Sequence, residues 1–389
     1  MPEAFGSENA VVCVTGASGF TGSTAVDCLL LNGYSVLATD HPDRDFSAVK
    51  QHKKYMSEHP NRYNGVSLHI APADLDDEKE LASIFKAHRV MYLLHPASLF
   101  NLSATRELLW KVNIEGTRNL LRAAADNAKE LLGTAIWSTG MVYGAPRRPG
   151  PLKETDKPNP SNLYTQSKLE QEYLALEFEK NGMPLVILRP ANTYGPRSAY
   201  GAAKAIRPLS WGSFFPLTPI PGSGERLAHY VHIDDVVAAA VHLTYIMGHK
   251  QVSGEIFNIA DDAPVTIGDL LARTAGLLKV KPPVFKIPEQ TLRMVQKILP
   301  RETQVPFFGI EQEEISDFLY QKTFDNSKLK STGYRLKYPD IRDGLEPTLD
   351  WYVRNGKLEK IWYLTNPKWR DYGKHIRPEQ RPFADYTII

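Results

Sequence analysis

Cysteine is scarce in this chain: among 389 residues only Cys13 and Cys28 occur. Two cysteines cannot form a disulfide framework, so both are expected to pack as small apolar residues in a reducing compartment. The longest apolar stretch, residues 236–247, is interrupted by His242. It falls short of the roughly 18 residues of a membrane span. The N-terminus also lacks the basic and then apolar plan of a signal peptide. These absences predict a cytoplasmic protein with no membrane partner.

An excess of charge of either sign is missing as well. The 46 Lys and Arg residues against 44 Asp and Glu residues leave a net charge of +2. This balance offers no electrostatic basis for binding nucleic acid. A hydrophobic content of 42% is typical of a globular protein. The length exceeds the usual single core of about 250–300 residues, which predicts a main domain with a smaller lobe.

Strand-like and helix-like segments alternate in the first half of the chain. The predicted strands are 11–15, 34–39, 66–70, 90–94, 134–138 and 185–188, and the predicted helices are 21–31, 78–87, 107–127 and 164–180. This repeated order is typical of the α/β class. It predicts a Rossmann-type, doubly wound parallel sheet with helices on both faces.

The second half has a different texture. Prolines and glycines over 195–224 predict loops of a second lobe. The chain is then expected to return to the sheet at 230–233, with a helix from Asp234 and a strand at 256–259. Helical segments at 267–277, 291–298 and 341–353 complete the lobe. The predicted division is a dinucleotide-binding domain of 1–190, to which 230–262 return, and a smaller C-terminal substrate lobe of 191–229 and 263–389.

A glycine-spaced turn follows the first predicted strand. Gly16 permits the tight turn, Gly19 lets the backbone approach a phosphate, and Gly22 lets the helix lie close to the strand. Free N–H groups at a helix N-terminus bind pyrophosphate. Glycines in such turns also occur for packing alone. The position between a strand and a helix favours a dinucleotide site that includes Ser18, Phe20 and Thr21.

Asp40 ends the second predicted strand. Its offset from Gly16 is near the roughly 20 residues expected for a carboxylate that binds the adenosine ribose. A negative charge there would repel the phosphate of NADP, so the predicted cofactor is NAD. Arg44 lies close enough in sequence to weaken this choice. The alternative is a solvated loop aspartate.

Asp74 and Leu75 follow the third predicted strand and are predicted to contact the adenine. Asp74 would accept a hydrogen bond from the adenine amino group, or else cap the next helix. Asp77 with Glu80 forms the better capping box, which leaves Asp74 for the ligand.

Tyr164 and Lys168 are four residues apart on a predicted helix and therefore share one face. A free tyrosine has a pKa near 10, and a neighbouring ammonium lowers the pKa of a phenol toward that of a usable base. Thr139, at the end of the fifth predicted strand, supplies a hydroxyl for a substrate oxygen. Isolated pairs at this spacing are common. Here they join other candidates at the carboxyl ends of strands, where parallel sheets place ligands.

Two further polar residues have less direct predicted roles in the cofactor site. His95 is expected to border the cofactor through the backbone of Ala97, because no metal-ligand cluster lies near it in sequence. Asn113 is expected to join a polar network near Lys168. The segment 229–235 has a conceivable metal-ligand spacing, but a strand followed by a helix N-cap explains its aspartates. No metal is predicted.

Ordered motifs then extend over most of the chain. They are TGASGFTG (15–22), HPAS (95–98), VNIEGTRNLL (112–121), STGMVYG (138–144), YTQSK (164–168), LRPANTYGP (188–196), YVHIDDVV (230–237) and GEIFNIA (254–260). Together they resemble the extended short-chain dehydrogenase/reductase superfamily, which contains NAD-dependent epimerases, dehydratases and 3β-hydroxysteroid dehydrogenases. The resemblance implies a homodimeric NAD enzyme. Its implied residues are catalytic Thr139, Tyr164 and Lys168, Pro190 in the cofactor site, and Ser98, Met141 and Asn192 in the substrate region.

Departures from the family pattern bear on the substrate. Nucleotide-sugar members carry an arginine before the segment matched by 230–235, whereas Ala228 stands there and Arg226 lies nearby. An Arg-x-Gly-Asp element is absent at 317–320, and Gly140-Met141 replaces the Asp-Glu pair of dehydratases. We therefore expect an oxidoreductase that interconverts a secondary alcohol and a ketone on an uncharged or hydrophobic small molecule. The alternative is a nucleotide-sugar epimerase with tightly bound NAD. A non-catalytic dinucleotide-binding regulator would not need the three catalytic residues.

Overall fold

The computed structural model describes residues 10–199, 202–210, 219–248, 250–299, 304–305, 310–311, 315, 319–358 and 362. The strands are β1 Ala10–Val14, β2 Val36–Ala38, β3 Leu68–Ile70, β4 Arg89–His95, β5 Gly133–Trp137, β6 Leu185–Pro190, β7 Asn192–Tyr194, β8 Ile220–Pro221, β9 Leu227–Ala228, β10 Tyr230–His232, β11 Ile256–Ile259, β12 Val265–Thr266, β13 Lys286–Ile287, β14 Gln304–Val305 and β15 Ile310–Glu311. The helices are α1 Phe20–Leu31, α2 Ser47–Glu58, α3 Glu78–Ala87, α4 Arg106–Trp110, α5 Gly116–Asn127, α6 Leu163–Lys180, α7 Ala202–Ser210, α8 Ile233–Ile246, α9 Ile267–Leu278, α10 Glu289–Ile298, α11 Ser327–Ser331 and α12 Ile341–Arg354.

The central sheet has seven strands in the order β11-β6-β5-β4-β1-β2-β3, and every neighbouring pair is parallel. The predicted α/β class, the parallel sheet and its first six strands are confirmed. The order reverses between β1 and β4, where doubly wound sheets bind their ligands.

The expected return to this sheet at 230–233 is wrong. Tyr230–His232 pairs with β7 in a separate two-stranded sheet. The edge of β6 is taken instead by β11, with Ile256 opposite Ile187 and Ile259 opposite Pro190. Helix α8, which begins directly after β10, still packs beside α1 against the central sheet.

Alternating side chains of β1 supply both faces of the core. Val12 and Val14 belong to the apolar cluster on the side of α1 and α8. Val11 and Cys13 belong to the cluster that also includes residues of α3 and α5. Burial on both faces explains why the strands appear in sequence as continuous apolar runs. Cys13 and Cys28 are buried free thiols, as expected.

A separate apolar cluster forms the core of the lobe, where α7, α9 and α12 pack together. The expectation of loops over 195–224 is wrong for 202–210, which forms α7. Ala203, Ile206 and Leu209 are buried at helical spacing on one face, and this pattern outweighs Pro208 within the helix. The last part of the predicted lobe, residues 363–389, lies outside the described residues.

A largely buried cluster of charged side chains links α1 to the loop after β7 and to α2. Arg197, in the loop after β7, places Nη2 2.8 Å from Asp27 Oδ2 and donates from Nη1 to Ser23 Oγ at 2.8 Å. Asp27 also bonds Nδ1 of His52 on α2. The loop after β7 is therefore tied to the helix that begins at the glycine-spaced turn.

Candidate active site

A cleft with a volume of about 1140 Å³ opens at the carboxyl ends of the central strands. Most residues predicted from sequence for the cofactor and substrate sites line it. They are Gly16, Ser18, Gly19, Phe20, Thr21, Gly22, Asp40, Asp74, Leu75, Ala97, Ser98, Thr139, Met141, Tyr164, Lys168, Pro190 and Asn192. His95 and Asn113 do not line the cleft.

The glycine-spaced turn is fixed by close backbone contacts. Gly16 has a φ of +58°, and a Cβ there would lie 2.8 Å from Ala97 Cα. A Cβ on Gly22 would lie 2.0 Å from the carbonyl oxygen of Gly16. Gly19 begins α1 without a side-chain cap, and the first turn carries no acidic residue. The uncapped N–H groups at this helix end fit the pyrophosphate of a dinucleotide.

Asp40 lies at the end of β2 and contacts the same turn. Its Oδ2 accepts hydrogen bonds from Ser18 N at 3.0 Å and from Ser18 Oγ, and its Oδ1 accepts one from His41 N at 2.8 Å. A carboxylate has about four acceptor sites, so these bonds leave capacity for ribose hydroxyls. Arg44 lines the cleft as well.

Asp74 also engages its own loop. Its Oδ1 accepts from Asp76 N at 3.0 Å, and its Oδ2 lies 3.4 Å from His41 Nε2. Asp77 caps α3 as expected, accepting from two backbone N–H groups. The reciprocal bond of the expected capping box does not form, because Glu80 accepts from Asp74 N at 3.1 Å instead.

The predicted catalytic residues Thr139, Tyr164 and Lys168 all line this cleft. Asn162 and Thr165 form a capping box that begins α6, which places Tyr164 and Lys168 in its first turns. The Tyr164 ring is buried, with the Phe100 ring edge-on at 4.9 Å between centroids. Thr139 Oγ1 accepts from Met141 N at 3.2 Å, which fixes this side chain at the end of β5.

Lys168 has an unusual environment for an ammonium. Its side chain is buried, and burial lowers the pKa of Lys168 to about 7, while the nearby Glu172 carboxylate acts in the opposite direction. Nζ donates to Gln171 Oε1 at 2.5 Å and to Ser98 Oγ at 3.4 Å. Glu172 is itself paired with Arg189, whose Nη2 lies 2.6 Å from Oε2. The charge of Glu172 is therefore shared with Arg189.

His95 and Asn113 lie behind the wall, so neither side chain directly contacts a cofactor in the cleft. His95 is fully buried between Thr15 and Thr117, at 2.7 and 2.9 Å. Burial and the charge of Lys168 lower the pKa of His95 to about 3, so it is neutral. Its predicted contribution through the backbone agrees with Ala97, which lines the cleft.

Asn113 lies in a π-helical turn, Lys111–Glu115, which joins α4 to α5. Its Nδ2 donates to Ser167 Oγ at 2.9 Å, and its Oδ1 accepts from Leu99 N at 2.7 Å. Asn113 therefore connects α6 to the segment that carries Ser98 and Phe100. This agrees with the expected network role.

The substrate end of the cleft is largely apolar. Leu99, Phe100, Leu102 and Met141 pack in one apolar cluster with Tyr164 and line the cleft, as do the polar residues Ser98, Asn101, Asn192 and Thr193. Among the described residues that line the cleft, the only Lys and Arg side chains are Arg44 and Lys168.

Arg226, which the sequence left as a substitute for the missing arginine, points elsewhere. Its guanidinium pairs with Glu289 of α10 and is not part of the cleft wall. Ala228 is in β9, which pairs with β12.

The segment 229–235 forms a strand followed by a helix, as expected. His232 rather than an aspartate is the N-cap of α8, accepting from Asp234 N at 3.2 Å. His229 bonds the Asp261 carboxylate at 2.9 Å. Within the described part of the chain, no group of three or more His, Cys, Asp and Glu side chains is arranged to hold a metal ion. None of the helices described here has the length and apolar character to cross a bilayer.

Sequence reasoning missed several residues of this site, most directly Gln171. It stands three positions after Lys168 on α6, and that helical spacing was the available signal. Thr15 and Thr117 were missed because their partner, His95, is remote in sequence.

One family of known proteins matches most of this chain. The model of the NAD dependent epimerase/dehydratase family matches residues 12–260. The chain belongs to this family. Membership confirms the expected superfamily, an enzymatic activity and NAD as the cofactor.

Two curated relatives have different activities. UDP-glucose 4-epimerase of Mycolicibacterium smegmatis is 31% identical over 267 residues, covering 68% of this chain and 81% of that protein. A decarboxylating sterol-4-alpha-carboxylate 3-dehydrogenase of Bos taurus is 24% identical over 282 residues, covering 71% of this chain and 72% of that protein.

A solved structure shares the fold. The crystal structure of UDP-glucose 4-epimerase with UDP-glucose from Thermotoga maritima has a TM-score of 0.65 and 23% sequence identity. The match covers 88% of this chain and 98% of that chain.

Proposed function

We propose that this protein is a nucleotide-sugar epimerase, which oxidises a sugar carbinol and reduces it again with NAD that it retains. The observation that carries the proposal is that Thr139, Tyr164 and Lys168 line the same cleft as the glycine-spaced turn. The 31% identity to a UDP-glucose 4-epimerase supports this substrate class over the uncharged substrate expected from sequence.

The residues of the cleft divide into those that bind NAD and those that act on the substrate oxygen. Gly16 and Gly22 keep the turn close to the pyrophosphate, and Asp40 binds the adenosine ribose. Tyr164 exchanges a proton with the substrate oxygen, and Thr139 donates a hydrogen bond to that oxygen. The Lys168 ammonium stabilises the phenolate form of a neighbouring tyrosine. When bound, NAD supplies the acceptor and donor of hydride.

Replacement of Tyr164 tests the proton-transfer role. Tyr164→Phe should retain NAD but lower kcat by about 10²–10⁴-fold, the usual scale for loss of acid–base catalysis. NAD content is measured from the absorbance of the released cofactor, and kcat from the interconversion of UDP-glucose and UDP-galactose. Tyr173→Phe is the matched control, because Tyr173 is on the same helix but 51% exposed. Near-normal turnover by Tyr164→Phe contradicts the assignment.

A second candidate function is the interconversion of a secondary alcohol and a ketone on an uncharged substrate. The apolar wall from Leu99 to Met141 and the pairing of Arg226 with Glu289 favour it. Thermal shift measurements with UDP-sugars and with a panel of ketones separate the two candidates. A rise in the melting temperature with UDP-sugars supports the epimerase, because a ligand stabilises the state that binds it. A rise with ketones alone supports the second candidate.

A cytoplasmic homodimer is also proposed. The family resemblance supports the dimer, and the buried free thiols of Cys13 and Cys28 suit a reducing compartment. Light scattering of the purified protein measures the oligomeric state, and a monomeric mass contradicts the dimer.

A further inference from the structure

A chain of buried hydrogen bonds extends behind the cleft from Lys168 toward the glycine-spaced turn. Lys168 Nζ donates to Gln171 Oε1 at 2.5 Å, and Gln171 Nε2 donates to Thr117 Oγ1 at 2.7 Å. The Gln171 side chain is fully buried and does not line the cleft. We infer that Gln171 is a positioning residue, which fixes the Lys168 ammonium at the cleft wall through an amide whose orientation Thr117 sets. The inference rests on the proposed role of Lys168.

The orientation of the amide follows from donors and acceptors. An ammonium has no acceptor, so the group facing Lys168 must be the carbonyl oxygen of Gln171. Its NH2 group then faces Thr117, whose hydroxyl donates its own proton to Asn113 O at 2.8 Å and accepts from Gln171. A flipped amide would set its NH2 group against the ammonium, donor against donor, and its oxygen against the Thr117 oxygen, acceptor against acceptor. The network therefore permits one orientation.

His95 completes the network and connects it to β1. The Thr117 hydroxyl lies 2.9 Å from His95 Nε2, which is also 3.5 Å from Gln171 Nε2. The other ring nitrogen, His95 Nδ1, is hydrogen-bonded to Thr15 Oγ1 at 2.7 Å. Thr15 in turn accepts from Ala97 N at 3.3 Å. The residue after Thr15 is Gly16, so the position of the ammonium is tied to the backbone that holds the dinucleotide.

The charged surroundings of Lys168 determine what loss of Gln171 should do. Among the described residues, the neighbouring titratable groups are Glu172 and Tyr164 on its own helix and His95 from β4, with Arg189 of β6 paired to Glu172. His95 is neutral, and the charge of Glu172 is shared with Arg189. Glu172 raises the pKa of Lys168, and the Gln171 carbonyl, in direct contact with Nζ, adds a dipole that also favours the charged ammonium. Removal of this carbonyl should make Lys168 lose its proton at lower pH.

Titration of Lys168 tests this without any substrate. Full-length protein is labelled with ¹⁵N at lysine Nζ, titrated by NMR, and the Lys168 signal is assigned by its absence in Lys168→Met. Gln171→Leu should lower the midpoint by about one pKa unit, and Gln171→Glu should raise it by about one, because a carboxylate favours the neighbouring ammonium. Gln166→Leu, a half-buried glutamine on the same helix, is the control and should leave the midpoint unchanged.

Turnover provides the second readout. The alkaline limb of the pH profile of kcat should shift to lower pH in Gln171→Leu and to higher pH in Gln171→Glu. KM should not change, because Gln171 does not line the cleft. At a pH one unit above the wild-type midpoint, kcat of Gln171→Leu should fall by up to about tenfold relative to wild type.

The inference is overturned if Gln171→Leu titrates like wild type, or if the midpoints of the leucine and glutamate variants shift in the same direction. If Gln171→Leu does not fold, an unshifted Gln171→Glu overturns it alone. Wild-type protein without turnover contradicts the proposed function, while the titration still decides the role of Gln171.

Discussion

The two ends of the cleft are built in different ways. At the dinucleotide end, backbone atoms of Gly16 and Ala97 and the N-terminus of α1 form the surface, and close contacts fix it. At the substrate end, side chains such as Phe100 and Met141 form the surface. A site made of backbone tolerates few substitutions, whereas a site made of side chains changes specificity without changing the fold. The difference explains why the cofactor could be assigned more firmly than the substrate.

The largest expected effect is at the dinucleotide end. Gly22→Val places a side chain 2.0 Å from the Gly16 carbonyl oxygen, so the turn must move. We expect a loss of stability of about 1–3 kcal/mol. NAD affinity should weaken by about 100-fold, since hydrogen bonds to a charged group such as the pyrophosphate contribute about 1.5–3 kcal/mol. Denaturant unfolding measures the free energy of unfolding, and titration with NAD measures the affinity.

The control for that variant is a glycine in another helix. A Cβ on Gly276 of α9 would meet nothing within 4 Å, so Gly276→Ala should raise stability by about 0.5–1 kcal/mol. Unchanged NAD affinity in Gly22→Val would show that the turn does not hold the cofactor.

An intermediate effect is expected at the substrate end. Phe100→Ala removes the ring that meets Tyr164 edge-on and opens the apolar wall. KM for the substrate should rise by about tenfold, because an aromatic contact of this kind contributes about 0.5–1.5 kcal/mol beyond its buried area. NAD retention should not change. Phe285→Ala, at an exposed position of the lobe, is the control. A loss of NAD without a change in KM would contradict the division of the cleft into two ends.

An effect of comparable size, confined to the choice of cofactor, is expected from a change of charge at the dinucleotide end. Asp40→Asn keeps an acceptor for Ser18 N but removes the negative charge beside the ribose site. The preference for NAD over NADP should decrease by about tenfold, the scale of one hydrogen bond to a charged group. Kd values for NAD and for NADP, measured in parallel, give the change in this preference. Asp126→Asn, at an exposed position of α5 that does not line the cleft, should leave the preference unchanged. An unaltered ratio in Asp40→Asn would remove this residue from cofactor selection.

Much of the fold could be predicted because strong periodic patterns decide it. The strands of the parallel sheet are buried on both faces, so 11–15, 134–138 and 185–188 stand out as apolar runs. Helix α2 was not anticipated. Its buried face consists of Val49, His52 and Tyr55, and the histidine is satisfied by Asp27, which is remote in sequence. The membership of β10 in a second small sheet also depends on a distant partner, β7.

The candidate site was predictable where a local motif sets it. Six residues of the turn at 16–22, all except Ala17, line one cleft together with Asp40, Tyr164 and Lys168. The positions of His95 and Asn113 behind that cleft depend on long-range packing, and so does the pairing of Arg226 with Glu289. The spacing of residues within a short sequence motif does not indicate contacts between residues that are distant in sequence.

The buried pair of Arg197 and Asp27 has a consequence for how the molecule comes apart. One partner belongs to the loop after β7 and the other to the helix that follows the glycine-spaced turn, and both are shielded from water. Peeling that loop away would carry the guanidinium into water and leave the Asp27 carboxylate buried without this cation, at a cost of about 3–5 kcal/mol. Partial melting at this junction is thereby disfavoured, and the loop and the first βα unit should unfold together in a single cooperative step.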